Sequence, residues 1–194
     1  MLTYENDSSK FRLYAINTML QTINEEPLES EEDFDKVREA QIAAGVLEET
    51  KKNVLSDEWD VAFDEAYSFP IDTSGFVNIP ANVLDIYDDA GNLIMRDWKL
   101  YDKTAQSFIF ESAQTVNVVW NTEFNNLPHP LRNYITVRAS RVFQARQVMD
   151  TNIYAFTKED EQMAYSTARR SEARSTSANM LDNIDIQGGF DERG

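Results

Sequence analysis

The spacing of apolar residues changes period twice along this chain, and that change limits its fold more than any other feature. Up to about residue 58 the apolar residues recur at helical spacing. From Trp59 to about Thr122 they fall in short runs of strand character. After Pro130 the helical spacing returns. A chain divided in this way predicts an α+β fold. The expected architecture is a helical bundle of about four helices with an inserted small antiparallel β-sheet or sandwich domain. Residues 1–58 and 124–180 are assigned to the helical bundle domain, 59–123 to the β-rich domain and 181–194 to a flexible C-terminal tail.

The first helix is expected from about Lys10 to Asn24, capped by Ser8 or Ser9, with Leu13, Ile16, Leu20 and Ile23 on one face. Glu25-Glu26-Pro27 ends it, because proline disfavours helix at the preceding residue. A second helix is expected to start near Ser30, with Asp33 three residues on completing a variant capping box. Phe34, Val37, Ala40, Ala44, Leu47 and Val54 form its stripe, and it ends around Asp57 to Trp59. Gly45 interrupts that stripe and implies a kink or a close helix contact.

In the middle segment, Phe76–Ile79, Val83–Tyr87, Leu93–Asp102, Ser107–Glu111 and Thr115–Asn121 read as strands. Asp88 to Asn92 reads as a hairpin loop in which Gly91 supplies a positive φ, and Asp102-Lys103-Thr104 as a second turn. Pro130 starts the third helix, whose Leu131, Ile135, Val142 and Met149 share a face. The fourth is expected from about Tyr154 to Ala178, with Thr157 as an alternative cap. It is rich in Ala, Ser and Thr and poor in large apolar residues. Such a helix buries little by itself and must lie against something or project.

Chemistry is constrained by what the chain lacks. With no cysteine there is no disulfide framework, thiolate metal site or cysteine nucleophile. A single histidine, His129, is too few for a multi-histidine metal site. Dinucleotide and phosphate-loop fingerprints and the nucleophile elbow are missing. The carboxylates Asp57, Glu58, Asp60, Asp64 and Glu65 cluster around Trp59 and Phe63, which reads as a solvated turn with an aromatic anchor. Asp85 to Asn92 lacks the order and the terminal glutamate of a calcium loop. No catalytic, cofactor-binding or metal-binding residue is therefore assigned. The first ten residues have no basic or apolar signal segment, and no apolar run approaches the ~20 residues of a membrane span.

The formal net charge is −16, which repels phosphate backbones and argues against tight nucleic-acid binding as the main activity. The charge is uneven. Residues 1–60 carry 15 acidic and 6 basic side chains, residues 61–123 carry 10 and 3, and residues 124–194 carry 9 and 9. The last third holds the candidate interface residues: Arg138, Arg141 and Arg146 on one helix, Arg169, Arg170 and Arg174 on the next. Arginine pairs bidentately with carboxylates, which this chain supplies in abundance. Copies could thus pair basic helices with a neighbour's acidic surface, in a head-to-tail contact that builds rings. The competing reading is pairing within one bundle.

Three stretches resemble a known family. The first is Leu13-Tyr14-Ala15-Ile16-Asn17 through Asn24-Glu25-Glu26-Pro27-Leu28, a helix closing in a proline turn. The second is Leu47 to Asp60, a helix that ends at Trp59 and feeds a strand. The third and most specific is Phe124-Asn125-Asn126-Leu127-Pro128, then Leu131-Arg132-Asn133-Tyr134-Ile135, then Ala139-Ser140-Arg141-Val142-Phe143-Gln144. In this order, over about residues 11–165, they resemble the tail tubular protein A family of short-tailed bacteriophages, adaptors between portal and tail. Asn24-Glu25 stands where that family carries glycine in the first turn.

The resemblance implies a non-enzymatic virion protein without cofactors, assembled in the host cytoplasm. It implies a ring of about twelve copies beneath the portal protein. The ring would receive the tail nozzle protein and extend the DNA channel, with C-terminal helices docking on the portal. DNA would pass without sequence-specific binding, and no membrane would be involved. Two other readings give different expectations. An acidic DNA-mimicking adaptor or inhibitor would bind a basic partner in a salt-sensitive way. A carboxylate-based glycan hydrolase would need one carboxyl of raised pKa in a cleft.

Overall fold

The computed structural model describes residues 10–147 and 156–188, with side chains described up to residue 176. The fold is α+β. The chain divides into two compact units, residues 1–47 with 128–194, and residues 48–127.

The helical unit contains α1 (Lys10–Gln21), the start of α2 (Arg38–Leu55), α3 (His129–Gln147) and α4 (Lys158–Gly188). Helix α1 buries Ala15, Ile16, Met19 and Leu20, residues three to five apart on one face. It closes with Asn24 at φ 62, while the Glu25 N–H reaches back to the Leu20 carbonyl at 3.1 Å. This is the left-handed cap usually made by glycine, and asparagine is the residue that best replaces it. The Asn17 amide then pins the proline turn. It donates to the Leu28 carbonyl at 2.9 Å and accepts the Leu28 N–H at 2.8 Å.

The second helix does not start at Ser30. The Ser30 hydroxyl accepts the Glu32 N–H, but the turn that follows is a 3-10 segment, Glu31–Lys36, with Phe34 buried. Extended Val37 separates it from α2. The α2 helix continues through Gly45, and the close contact expected there is not made, since an added Cβ would meet nothing within 4 Å.

Helix α3 packs against both α1 and α4. Its buried residues, among them Leu131, Tyr134, Ile135, Ala139 and Phe143, therefore spread widely around the helix. Val142 is half-buried, and Met149 lies outside the described residues. The Arg132 guanidinium lies 3.6 Å over the Phe11 ring, and Gln144 donates to the Thr22 carbonyl at 3.4 Å. Helix α4 starts at Lys158, after Thr157, and its backbone stays helical to Gly188.

The second unit holds the end of α2 and a five-stranded antiparallel sheet: β1 (Phe63–Phe69), β2 (Val83–Tyr87), β3 (Leu93–Arg96), β4 (Lys99–Asp102) and β5 (Gln114–Trp120). The order is β1-β5-β2-β3-β4. Phe69, Val77, Ile79, Val83, Ile86, Leu100, Val116 and Val118 form its core. Gly91 lies at φ 67 in the β2–β3 turn, as expected.

Three details differ from the sequence expectation. Phe76–Ile79 and Ser107–Glu111 are not full strands; they contribute isolated bridges, Phe76 with Ile109 and Asn78 with Lys99. The Leu93–Asp102 segment is a hairpin, not one strand, and it turns at Asp97 and Trp98, both at positive φ. Strand β1 is missing from the strands read by pattern, although the resemblance places a strand after Trp59, because a bulge between Asp64 and Tyr67 puts Ala66 at φ 54 and breaks the alternation. Gly75 sits at φ 81, where a Cβ would come within 3.0 Å of Ile109 Cγ2 and 3.1 Å of the Phe110 oxygen.

Candidate assembly surface

The geometry around the arginine-bearing helices starts at the cap of α4. Thr157 and Asp160 form a reciprocal capping box. The Asp160 N–H donates to the Thr157 hydroxyl at 3.1 Å, and Asp160 Oδ2 accepts the Thr157 N–H at 2.8 Å. The Thr157 N–H, and then the Thr157 hydroxyl that donates to Oδ2 at 2.9 Å, hold the Asp160 carboxyl below its usual pKa.

From there α4 runs along α3 with a thin apolar face. Only Ala164 and Ala168 are buried apolar residues along its described length. Between them and beyond them lie Glu161, Tyr165 and Glu172, all half-buried. The seat is therefore largely polar. Arg141 of α3 donates to Glu161 Oε2, and Arg138 Nε lies 3.9 Å from Glu161 Oε1. Arg138 also donates to the Tyr134 hydroxyl at 2.8 Å. The Tyr134 and Tyr165 rings meet edge to face with centroids 5.3 Å apart. Arg169 pairs with Glu172 at 2.8 Å.

The six arginines thus fall into groups. Arg138, Arg141 and Arg169 have partners within the helical unit, and the first two bind α4 to α3 through Glu161. Arg146 is exposed in the last turn of α3 and is itself engaged. Arg170 and Arg174 are exposed on α4, and Arg174 Nε approaches the Arg170 carbonyl at 3.4 Å. At 100° per residue these two share a stripe with Met163, about 120° around the helix from Ala164 and Ala168. Met163 is 70% exposed. It also borders a shallow groove of about 590 Å³ lined by Lys158, Glu159, Gln162 and Ser166.

Met163 and Glu161 were not singled out from sequence. A lone methionine on a polar helix is visible there, but it has meaning only once the buried face of α4 is known. The acidic cluster near Trp59 has structural partners: Asp64 accepts from Trp120 Nε1 at 2.8 Å, and Glu58 from the Tyr87 hydroxyl at 2.7 Å. His129 is exposed at the start of α3. Among the described residues, no group of three or more His, Cys, Asp or Glu side chains could hold a metal ion. No described helix is long and apolar enough to cross a membrane.

An α+β chain with one helix seated through ion pairs and turned outward along a mixed apolar and basic stripe has the features of a structural subunit. A family model described as tail tubular protein matches residues 13–178, and the chain belongs to that family of phage tail structural proteins. It is thereby a component of the virion tail. A comparison with curated proteins gives no match.

Proposed function

We propose that this protein is a tail adaptor whose copies close into a ring, join the portal protein to the tail nozzle protein and extend the DNA channel for genome retention and ejection. Family membership supports a structural role in the tail. The observation that carries the finer reading is α4. Its inner face is held by two alanines and a cluster of charge pairs, while its outer face offers Met163, Arg170 and Arg174.

In this reading α4 is the portal-docking element. Arg138, Arg141 and Arg169 set its position, and Arg146, Arg170 and Arg174 meet carboxylates of the partner. The subunit acts without catalysis or cofactor. Its formal charge of −16 gives a largely acidic channel wall, along which DNA slides without sequence-specific binding.

Mass measurement of the purified chain, alone and mixed with its portal protein, tests the assignment. The expected result is a high-mass complex that is weakened by the double substitution Arg170→Glu and Arg174→Glu. A chain that stays monomeric and ignores the portal would overturn it. A ring whose lumen is lined mainly by Arg and Lys would overturn the account of the channel.

A further inference from the structure

We propose that neighbouring copies of this chain meet through opposite edges of the sheet, with the Trp98 hairpin of one copy seated against the acidic β1 edge of the next. The proposal rests on the ring reading above and names the contact that would build it.

Strands β1 and β4 are the outermost in the order β1-β5-β2-β3-β4, and their surroundings differ in charge. Residues 48–127 carry 15 acidic and 5 basic side chains. Between Asn53 and Leu127 the basic residues are Arg96, Lys99 and Lys103, all on the β3–β4 hairpin or next to it. Asp97 and Asp102 lie in the same stretch, so residues 96–103 carry +1 while the whole unit carries −10. Asp102 is already engaged, since its Oδ1 accepts the N–H groups of Thr104 and Ala105 at 2.7 and 3.0 Å. Two of the cations are held in place by rings. The Arg96 guanidinium lies 4.0 Å over Tyr101, and Lys99 Nζ lies 4.1 Å over Phe76.

The turn between them is strained. Asp97 and Trp98 sit at φ 52 and 57, a region that glycine or asparagine fills at lower cost than a bulky side chain. The result is an indole that is 56% exposed at the tip of a stiff hairpin. Exposed tryptophan flanked by cations is the composition of an interface anchor. The backbone edge of β4 is closed by the segment beside it: the Leu100 N–H donates to Val77 and the Ile79 N–H to Trp98, at 3.0 and 2.8 Å. The hairpin therefore offers side chains and not a free strand edge.

The other edge is complementary. Strand β1 presents Asp64 and Glu65, with Asp60 just before it, and all three are exposed. Tyr67 is 39% exposed and packs on Phe69 and Trp120, with centroids 4.8 and 5.3 Å away. An aromatic floor beside carboxylates suits an incoming indole flanked by Arg and Lys. The bulge at Ala66 discourages regular strand addition, which again leaves side chains to make the contact. A contact between unlike edges is heterologous, so one copy of it leaves both edges available for the next.

The absence of cysteine makes the test clean. Full-length Asp97→Cys and Glu65→Cys chains, which keep Trp98 and all three cations, are mixed and oxidised. A mixed 65–97 disulfide that predominates over 65–65 and 97–97 products supports the contact. In sedimentation, Arg96→Glu is expected to weaken self-association roughly tenfold, and Arg96→Glu combined with Glu65→Lys to restore it. A multimer without the mixed disulfide overturns this contact and leaves the ring standing. A chain that is monomeric at every concentration, and not cross-linked, overturns both. Predominant 97–97 disulfide makes the contact isologous and overturns the proposal. Loss of DNA retention in Arg96→Glu with self-association unchanged would reassign the hairpin to nucleic acid and overturn it as well.

Discussion

The sheet of residues 48–127 and the terminal helix α4 are held by opposite means. The sheet closes over a core of aliphatic and aromatic side chains drawn from all five strands and the segment around Val77. Helix α4 lies on α3 with two buried alanines, a tyrosine pair and the Glu161 clamp. Burial of apolar surface is not weakened by charge screening and gives order without a partner. Caps and half-buried ion pairs are worth less and depend on conditions. The comparison teaches that the sheet is a finished structural piece, whereas α4 is stabilised just enough to be positioned. The docking role proposed for α4 would draw on that property.

The largest expected effect lies in the sheet. Leu100 is fully buried on the outer strand β4, and Leu100→Ala should cost about 2–5 kcal/mol through lost transfer energy and a residual cavity. Denaturant unfolding followed by fluorescence measures it, and a loss below about 1 kcal/mol would show that the core is not close-packed there. Next comes Gly75→Ala. Its Cβ would sit at φ 81 and within 3.1 Å of the Phe110 backbone oxygen, so a loss of about 1–3 kcal/mol is expected.

In α4 the corresponding substitution is Glu161→Ala. It releases Arg138 and Arg141 together, and a loss of roughly 1–2 kcal/mol is expected. Amide exchange over residues 158–172 reports it, and raised salt should mimic it in α4 but not in the sheet. Exchange in α4 that ignores both salt and the substitution would remove the contrast. Gly45→Ala works in the other direction. The site is open and helical, so a gain of about 1 kcal/mol in thermal unfolding is expected.

How much of this was legible beforehand depends on range. The α+β class, strand Val83–Tyr87, the Gly91 turn and the α3 start follow from local pattern and hold in the structure. Strand β1 was hidden because its bulge breaks the two-residue period on which strand reading depends. The Asp97–Trp98 turn was hidden because neither residue signals a positive φ. In the candidate site, the arginine content was plain. The pairing of Arg141 with Glu161 was not, since it is set by the register of α4 on α3, across 20 residues of chain. Helix spacing places side chains around one axis and says nothing of how two axes meet.

The smallest effect concerns acid, and it separates the two regions most finely. Asp160 and Asp72 both have pKa values held below the ordinary 3.8. For Asp160 the causes are the Thr157 N–H and then its hydroxyl. For Asp72 they are the Phe76 N–H, the Asn78 amide and the Ser74 N–H. A lowered carboxyl pKa contributes stability that is complete above the unfolded value and is lost as pH falls through the folded one. Both turns should therefore loosen below about pH 3.8. The consequences differ. The Asp72 turn is followed by buried Val77 and Ile79, which keep the segment on the sheet when the carboxyl protonates. Around the Asp160 cap Lys158, Glu159 and Gln162 are exposed and the first buried residue is Ala164, so fraying should run inward toward half-buried Glu161. Carboxyl titration by NMR, with amide exchange read at each pH, should show protection lost in the first turns of α4 while β4 and β5 stay protected. Asp160→Asn should fray the same turns at neutral pH, and equal loss in sheet and helix would mean that α4 is anchored as firmly as the core.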